Sequence, residues 1–516
     1  MASNGSEFEL AMPVSKTHVG ESDYNALKVR SALGGAYTFA SRGGSLAVQI
    51  LATIVLARLV SPEDFGLVAM VTAITGFALI FKDLGLSTAA IQAPSLSRSQ
   101  SSNLFWCNTV LGLVLTLILI VASPIIALVY HDRRLIPITC GLSSCFLISA
   151  LSIQHQALLR RELEFGKLAL VEFGSIVCGS LLGFGLAWFG ASYWALVGMQ
   201  IARAAFNALQ TFLAYPWRPA AFQRNQGTWS MVRFGSHLVA FDAVNYLSRN
   251  LDKVLIGRFA GAETVGFYGK AYELLLFPVA QVRAPIVGIA LPILSKLQDQ
   301  PREYASYFTA ICSLVATLSI PLIAWMAVAA RSLILFFLGK PWLPAVDYFQ
   351  ILAIAGLFQP TVGILGVLLV SSGRSRRYFF WGLWHSSLMV SAFVIGAFWG
   401  AKGVAVAYAV ANILVVIPSV LFCVAGSPVR AHAILGTLLS PVAFSVLAGL
   451  TCRWLIARLS FGDGVLVLAA SALVFLVIYV VQFALIPSRN AELRRWIGLA
   501  KLMISRGAHR LEPQAR

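Results

Sequence analysis

The sequence predicts an all-α polytopic membrane protein with about 14 transmembrane helices. Three observations carry that prediction. The 516 residues are 58% hydrophobic and only 12% charged, roughly half the charged share of a soluble protein. The mean hydropathy is +0.80. Apolar runs of about 20 residues recur from residue 34 to residue 487, each long enough to cross a bilayer as a helix. Membrane strands would instead leave short alternating segments.

Residues 1–33 are polar and mixed in charge. They lack the basic start, short apolar core and small-residue cleavage site of a signal peptide, so a loosely ordered tail is expected. Spans are expected at 34–59, 66–93, 104–130, 136–158, 168–189, 193–215, 236–260, 266–295, 306–330, 345–371, 378–400, 403–424, 433–457 and 464–487. An even count puts both termini on one side. The tails and loops of that side hold 23 Lys and Arg, and the opposite loops hold seven. Short cytoplasmic loops carry the basic excess, so both termini are expected in the cytoplasm. The net charge of +18 is spent on this asymmetry, and no nucleic-acid partner is expected.

The seven cysteines (Cys107, Cys140, Cys145, Cys178, Cys312, Cys423 and Cys452) sit in or beside apolar runs without a CxxC pair. Packing roles are expected, with no metal and no cofactor. No phosphate-binding GxxxxGK[ST] loop, nucleophile elbow or HExxH motif occurs, so no catalytic residue is assigned and the chain reads as no enzyme.

The chain repeats itself. "LARLVSPEDFGL" at 56–67 returns as "IGRFAGAETVGF" at 256–267. At this offset of 200, Arg58 pairs with Arg258, Glu63 with Glu263 and Gly66 with Gly266. "YHDRRLIP" and "FLGKPWLP" echo each other before the fourth and tenth spans. The expected plan is two six-helix pseudo-symmetric lobes around a central cationic cavity, plus two extra C-terminal helices. The lobes are 34–215 and 236–424, joined by a cytoplasmic linker at 216–235 and followed by spans 13 and 14 within 433–487. Six spans per copy is even, so the lobes share orientation about an axis along the membrane normal. The tail at 488–516 contains "RRWIGLAKLMI", whose apolar spacing suits an amphipathic helix on anionic lipid; an ordinary solvated tail is the alternative.

Within span 7, "DAVNYLSRNLDKVLIGRFAG" at 242–261 is unusual. A charge in hydrocarbon costs roughly 2.5–3.5 kcal/mol on insertion scales. At about 100° per residue, Asp242, Asn245, Tyr246, Arg249, Asp252 and Lys253 share one face, and Ala240, Val244, Leu247, Leu251, Val254 and Leu255 the other. The polar face must meet protein or water. Two hundred residues earlier, Arg42, Ser45, Gln49 and Thr53 form a polar stripe on span 1. Span 6 adds Gln200, Arg203, Asn207 and Gln210, span 2 adds Lys82 and Asp83, span 5 adds Glu172, and span 8 adds Lys270, Glu273 and Arg283. Spans 9–14 hold almost no ionisable group inside, so the lumen is assigned to spans 1, 2, 5, 6, 7 and 8.

Inside the spans, nine basic residues face five acids. Ion pairing alone would favour neutrality, so the excess points to an anionic cargo group, and Arg suits phosphate oxygens. Arg42, Arg203, Arg249 and Lys253 lead this set, with Lys82 and Arg283 beside them; lumenal ion pairing is the competing role. Asp242, Asp252, Glu172 and Asp83 are open to ion coupling or to neutralising nearby cations. Arg58 and Arg258 suit helix-end anchoring, Lys270 and Glu273 suit an i,i+3 pair, and His385 suits a hydrogen-bonded core. Pro278, Pro285 and Pro292 in span 8 suit either a hinge or passive shaping of the helix.

The stretch "GGAYTFASRGGSLAVQILATIVLARLVSPEDFGLVAMVTAITGFALIFKDLGLSTAAIQ" (34–92) and its echo "LIGRFAGAETVGFYGKAYELLLFPVAQVRAPIVGIALPILS" (255–295) resemble the Wzx-type repeat-unit flippases of the multidrug/oligosaccharidyl-lipid/polysaccharide exporter superfamily. The resemblance covers roughly residues 30–430 and is carried by the LARxxSPEDFG and IGRxxGxxxxGxY phrases. It implies a multi-pass protein of the bacterial inner membrane. It further implies that undecaprenyl-pyrophosphate-linked oligosaccharide is moved from the cytoplasmic to the periplasmic leaflet by alternating access. The implied partners are the lipid-linked oligosaccharide, membrane lipids, and the polysaccharide polymerase and chain-length machinery. Arg42 and Arg249 are the nearest positional matches to arginines used in related lipid II flippases. The alternatives are an ion-coupled multidrug/cation antiporter of the same superfamily, which the basic excess disfavours, and a non-transporting scaffold, which a polar lumen disfavours.

Overall fold

The computed structural model describes residues 41–83, 85–93, 96–223, 228–459 and 464–485, with the backbone alone for 228–245 and for 89, 456–457, 459 and 484. The tails expected at 1–33 and 488–516 lie outside the described residues. Every described element is helical. Among the described residues, twelve helical segments are long and apolar enough to cross a membrane. One of these, Tyr246–Lys296, runs 51 residues and serves two expected spans. A further helix, Tyr193–Ala214, has 22 residues and carries the Gln200, Arg203, Asn207 and Gln210 stripe. Each of the fourteen expected spans therefore has a helical counterpart.

The first half comprises α1 (Ser41–Leu59), α2 (Pro62–Phe81), the short α3 (Leu86–Gln92), α4 (Arg98–Tyr130), α5 (Leu135–Arg161), α6 (Phe165–Trp188) and α7 (Tyr193–Ala214). The second half comprises α8 (Thr228–Lys296), α9 (Pro301–Val328), α10 (Ala330–Phe337), a 3-10 turn at Lys340–Trp342, α11 (Ala345–Ser371), α12 (Ser375–Ala397), α13 (Gly400–Leu414) and α14 (Val416–Val424). The appended α15 (Ala431–Leu459) and α16 (Val465–Leu485) lie against α9. Trp325 Nε1 donates to Ser471 Oγ at 3.2 Å, and the Tyr479 hydroxyl donates to the Thr317 carbonyl at 3.3 Å.

The repeated phrase works as helix punctuation. Ser61 is the N-cap of α2, accepting from the Asp64 amide at 3.1 Å, and Pro62 occupies the first turn with Glu63 and Asp64. A side-chain acceptor, a proline and acids at a helix start are mutually reinforcing. In the second copy Gly261 stands at the position of Ser61. It takes φ 80° and ψ 175°, a conformation that glycine reaches most readily. A straight α8 of 69 residues would be about 100 Å long. The break divides it into arms at 228–260 and 262–296, equivalent to α1 and α2. The three prolines lie inside the second arm, and the non-helical backbone is at Gly261.

The two copies meet at the repeat itself. A Cβ on Gly66 would run into the carbonyl of Ala262, and a Cβ on Gly266 would run into the carbonyl of Pro62. The contact is reciprocal between equivalent residues, as a pseudo-twofold axis requires. Trp342, fully buried, seals the same end. Its Nε1 donates to the Ala57 carbonyl at 2.8 Å, and its ring lies edge-on to Phe65 and Phe267 at 5.3 and 6.1 Å. Arg58 donates to the Phe336 carbonyl at 2.8 Å, the helix-end anchoring expected of it. The start of the linker is fixed to the first half: Asn103 exchanges two hydrogen bonds with Gln223, and His155 bonds the Trp217 carbonyl at 3.0 Å.

Arg134, in the turn before α5, bridges Glu63 at 2.6 Å and Asp132 at 2.7 Å. Its hydrogen bonds hold the Asp132 carboxyl below the usual carboxylate range. A depressed folded value means the stabilisation is present above the unfolded value near ~4 and is lost as pH falls through the folded one. Arg134 is 47% exposed, so the effect is at most about 1 kcal/mol. Thermal melts of wild type and Arg134→Gln should differ slightly at neutral pH and converge in strong acid.

Gly66→Ala and Gly266→Ala should each destabilise the protein by about 1–3 kcal/mol through overpacking against backbone. Gly269→Ala, where a Cβ meets open space, should be nearly silent in the same detergent melts.

Candidate functional site

The polar face of α8 lines a cavity of about 920 Å³, whose other walls come from α11, α12 and α13. Arg249 and Lys253 enter one helical turn apart from the first arm of α8. Arg283 enters from the second arm, brought across by the break at Gly261. Its guanidinium lies against α11 at Gly363, with Cζ 3.0 Å from where a Cβ would stand. The glycine is what lets the charge sit there. Among the described residues, no carboxylate lies within ion-pair distance of Arg249, Lys253 or Arg283. Arg249 and Arg283 bring like charges to the same cavity.

One carboxylate belongs to the described lining, that of Asp252, only 3% exposed. It accepts from the Tyr268 hydroxyl at 2.8 Å and from the Lys253 amide at 2.7 Å. Neutral groups continue the network: the Tyr272 and Tyr408 hydroxyls are 3.0 Å apart, and Gln359 donates to Tyr408 at 3.0 Å. Ser248 donates to Ser386 at 3.1 Å, joining α8 to α12. Buried polar groups that are mutually bonded hold a fixed geometry. The walls are therefore held in place, and among the described residues the cations facing the space have no carboxylate at ion-pair distance.

Of the residues singled out in the sequence, Arg249, Lys253, Arg283 and Asp252 meet in this cavity. Arg42, Lys82 and Arg203 do not line it. Arg42 is exposed near the start of α1, and Arg203 is exposed on α7 with its backbone against Gly179 of α6. Glu172 is exposed on α6, and Lys82 is half-buried at the end of α2. Asp83 caps α3, accepting from the Ser87 amide at 3.0 Å. Lys270 and Glu273 pair at 2.8 Å. The Asp242 side chain lies outside the described residues.

This cavity also draws on spans outside the six to which the sequence assigns the lumen. Spans 10, 11 and 12 supply Gln359, Trp381, His385, Tyr408 and Asn412. A search for charged side chains passes over Gln359, Trp381, Tyr408 and Asn412, and His385, assigned in the sequence to a hydrogen-bonded core, stands in the cavity wall. The available signal was Tyr408 and Asn412 four residues apart on one face, with Gln359 beside Pro360 in an otherwise apolar run.

A two-lobed helical bundle with a cation-lined cavity inside its spanning region defines a membrane carrier by class. The chain belongs to the polysaccharide biosynthesis protein family, whose profile matches residues 55–347. It is 28% identical over 337 residues to the teichuronic acid biosynthesis protein TuaB of Bacillus subtilis (strain 168), covering 65% of this chain and 70% of that protein. It is 26% identical over 367 residues to the lipopolysaccharide biosynthesis protein WzxC of Escherichia coli (strain K12), covering 70% and 74%. The succinoglycan biosynthesis transport protein ExoT of Rhizobium meliloti (strain 1021) is 23% identical over 487 residues, covering 91% and 95%. The fold is that of the lipid II flippase MurJ in an inward closed conformation, with TM-score 0.67 at 14% identity over 87% of this chain and 97% of that one.

Gly363→Ala should push Arg283 off its seat while leaving folding nearly intact, because the displaced atoms are the end of a flexible side chain. Titration with pyrophosphate should show roughly tenfold weaker binding, about 1.4 kcal/mol, matched by Arg283→Gln. Unchanged affinity in both variants would remove Arg283 from the site.

Proposed function

We propose that this protein is a flippase for lipid-linked oligosaccharide. It takes an undecaprenyl-pyrophosphate-linked repeat unit from the cytoplasmic leaflet and releases it on the other side, for exopolysaccharide or lipopolysaccharide assembly. The observation that carries this is the set of cations Arg249, Lys253 and Arg283, which have no carboxylate at ion-pair distance among the described residues, in a cavity inside the spanning region. Such charges are retained at a cost unless an anion arrives to use them. A pyrophosphate supplies that anion, and guanidinium groups match its oxygens. The sugar needs a wet cavity, and the polyprenyl tail needs none. The names of the relatives, drawn from teichuronic acid, lipopolysaccharide and succinoglycan biosynthesis, support a polysaccharide precursor as cargo.

In this proposal the carrier works by alternating access and is no enzyme. Its lobes are 34–215 and 236–424, with 216–235 as linker, 433–487 as an appendage and 488–516 as a basic cytoplasmic tail. It resides in the bacterial inner membrane with both termini in the cytoplasm, beside a polysaccharide polymerase and chain-length machinery. Arg42, Arg203 and Lys82 meet the cargo from the first lobe in another stage of the cycle. Asp252 is the foremost candidate for ion coupling, ahead of Asp242, Glu172 and Asp83, because it alone among the described carboxylates stands in the cavity wall. A multidrug/cation antiporter would call for several acids around its site, and among the described lining residues one carboxylate stands against three cations.

Cells depleted of the protein, in a strain without a second exporter, should accumulate polyprenyl-pyrophosphate oligosaccharide on the cytoplasmic leaflet. Wild type should relieve the accumulation. Arg249→Ala, at equal expression, should retain less than about a tenth of the transport, the effect of losing about 1.4 kcal/mol or more. Absence of accumulation on depletion would sink the flippase reading.

A further inference from the structure

A second cavity of about 930 Å³ lies between α12 and α14, lined by Arg374, Arg376, Arg377, Phe380, Trp384, Pro418 and Phe422. Its chemistry divides sharply. One end is three arginines in four residues, and the rest is aromatic ring and proline. Arg374 and Arg377 reach across to the end of α14. Arg374 bonds the Ala425 carbonyl at 3.0 Å and also the Gly426 carbonyl, and Arg377 bonds Ala425 at 2.7 Å. Carbonyl partners at a helix C-terminus orient a guanidinium without cancelling its charge. Arg377 lies over the Phe422 ring at 4.9 Å, and its Nε is buried with no hydrogen-bond partner. Arg376 lies over Phe380 at 5.8 Å and is otherwise exposed. Among the described residues, no carboxylate is within ion-pair distance of any of the three.

The apolar wall stays open to the outside. Phe380 is 50% exposed, Trp384 41% and Phe422 37%. Both bounding helices belong to membrane-spanning segments, Ser375–Ala397 and Gly400–Val424, so this wall faces hydrocarbon. The arginines stand at the end of the span, at the depth of lipid headgroups. Uncompensated cations at headgroup level above an aromatic groove at acyl-chain depth match one class of molecule.

We propose that this groove binds an anionic phospholipid, with its phosphate on Arg376 and Arg377 and an acyl chain along Phe380, Trp384 and Phe422. A free anion would leave the aromatic wall unused, and a zwitterionic lipid would leave the arginines uncompensated. The groove is separate from the carrier cavity. Tyr378, Trp381, His385 and Ser386 of the same α12 turn to that cavity, while Phe380 and Trp384 turn to the groove. A lipid held there braces α12 against α14 from behind the cargo site.

The test uses the full-length protein, delipidated in mild detergent and titrated with phosphatidylglycerol or phosphatidylcholine, with bound lipid counted by native mass spectrometry. Wild type should hold one phosphatidylglycerol at a concentration at least tenfold below that for phosphatidylcholine, and Arg376→Gln should lose most of that preference. Arg376 touches only Phe380 among its described contacts, so this variant keeps the links to α14. Independently, bromine-labelled phosphatidylglycerol should quench tryptophan emission more than labelled phosphatidylcholine, and Trp384→Phe should remove the difference. Equal retention of both lipids, an unchanged preference in Arg376→Gln, or quenching that survives Trp384→Phe would overturn the proposal. Displacement of phosphatidylglycerol by millimolar inorganic phosphate alone, or by an equimolar polyprenyl diphosphate, would also overturn it. The first would show an anion site only and the second a seat for the isoprenoid lipid.

Discussion

A guanidinium inside a bilayer needs water, an anion or a ring of dipoles around it, and the organisation of this bundle follows from that need. Arg249, Lys253 and Arg283 lie in spanning helices and have no carboxylate partner among the described residues. The helices around them must therefore enclose a space that water or an anion can enter. The surrounding walls are tied to each other through Tyr268, Tyr272, Tyr408, Gln359 and Ser386. Those bonds satisfy the walls' own polar groups and leave the cations as the unspent capacity of the site.

A second constraint is geometric. Two helices cross closely enough at Gly66 and Gly266 that neither position has room for a methyl group. The residues are equivalent in the repeat, and each lies against the backbone carbonyl of the other copy's turn. A contact made of bare backbone resists separation through close packing but imposes no interlocking side chains, so rotation about it disturbs little. The same end of the bundle is stapled from one half to the other by Trp342 on Ala57 and Arg58 on Phe336. Alternating access, as proposed above, would have to release these staples while the glycine crossing acts as the pivot.

Much of this was legible in the sequence because a membrane forces simple rules onto it. Length and apolarity gave the spans, and the 200-residue offset paired Gly66 with Gly266 before any coordinate did. Helical periodicity put Arg249, Asp252 and Lys253 on one face. Arg283 joined the same set, though its seat on Gly363 could not be read from spacing, since a glycine announces itself only when its neighbour is known. The neutral half of the cavity was missed for a related reason. Tyr408, Asn412 and Gln359 carry no charge, so their presence in apolar helices raised no energetic alarm. The roles of Arg42, Lys82 and Arg203 depend on how the lobes stand to each other, a property of the folded pair that no local pattern encodes.

The position of α12 draws the two cavities into one mechanical element. One face of this helix supplies Trp381, His385 and Ser386 to the cationic cavity, and its first turn supplies Arg376 and Arg377 to the lipid-facing groove. The helix is bonded to α8 through Ser248 and to the end of α14 through Arg374 and Arg377. Any motion that opens the cargo cavity by moving α12 away from α8 must therefore either carry α14 along or break the arginine bonds to Ala425 and Gly426. A phospholipid in the groove would favour the first course, because it adds contacts between α12 and α14 and none between α12 and α8. The surrounding bilayer would thus act on the carrier through the stiffness of one helix, with cargo on one side of it and lipid on the other.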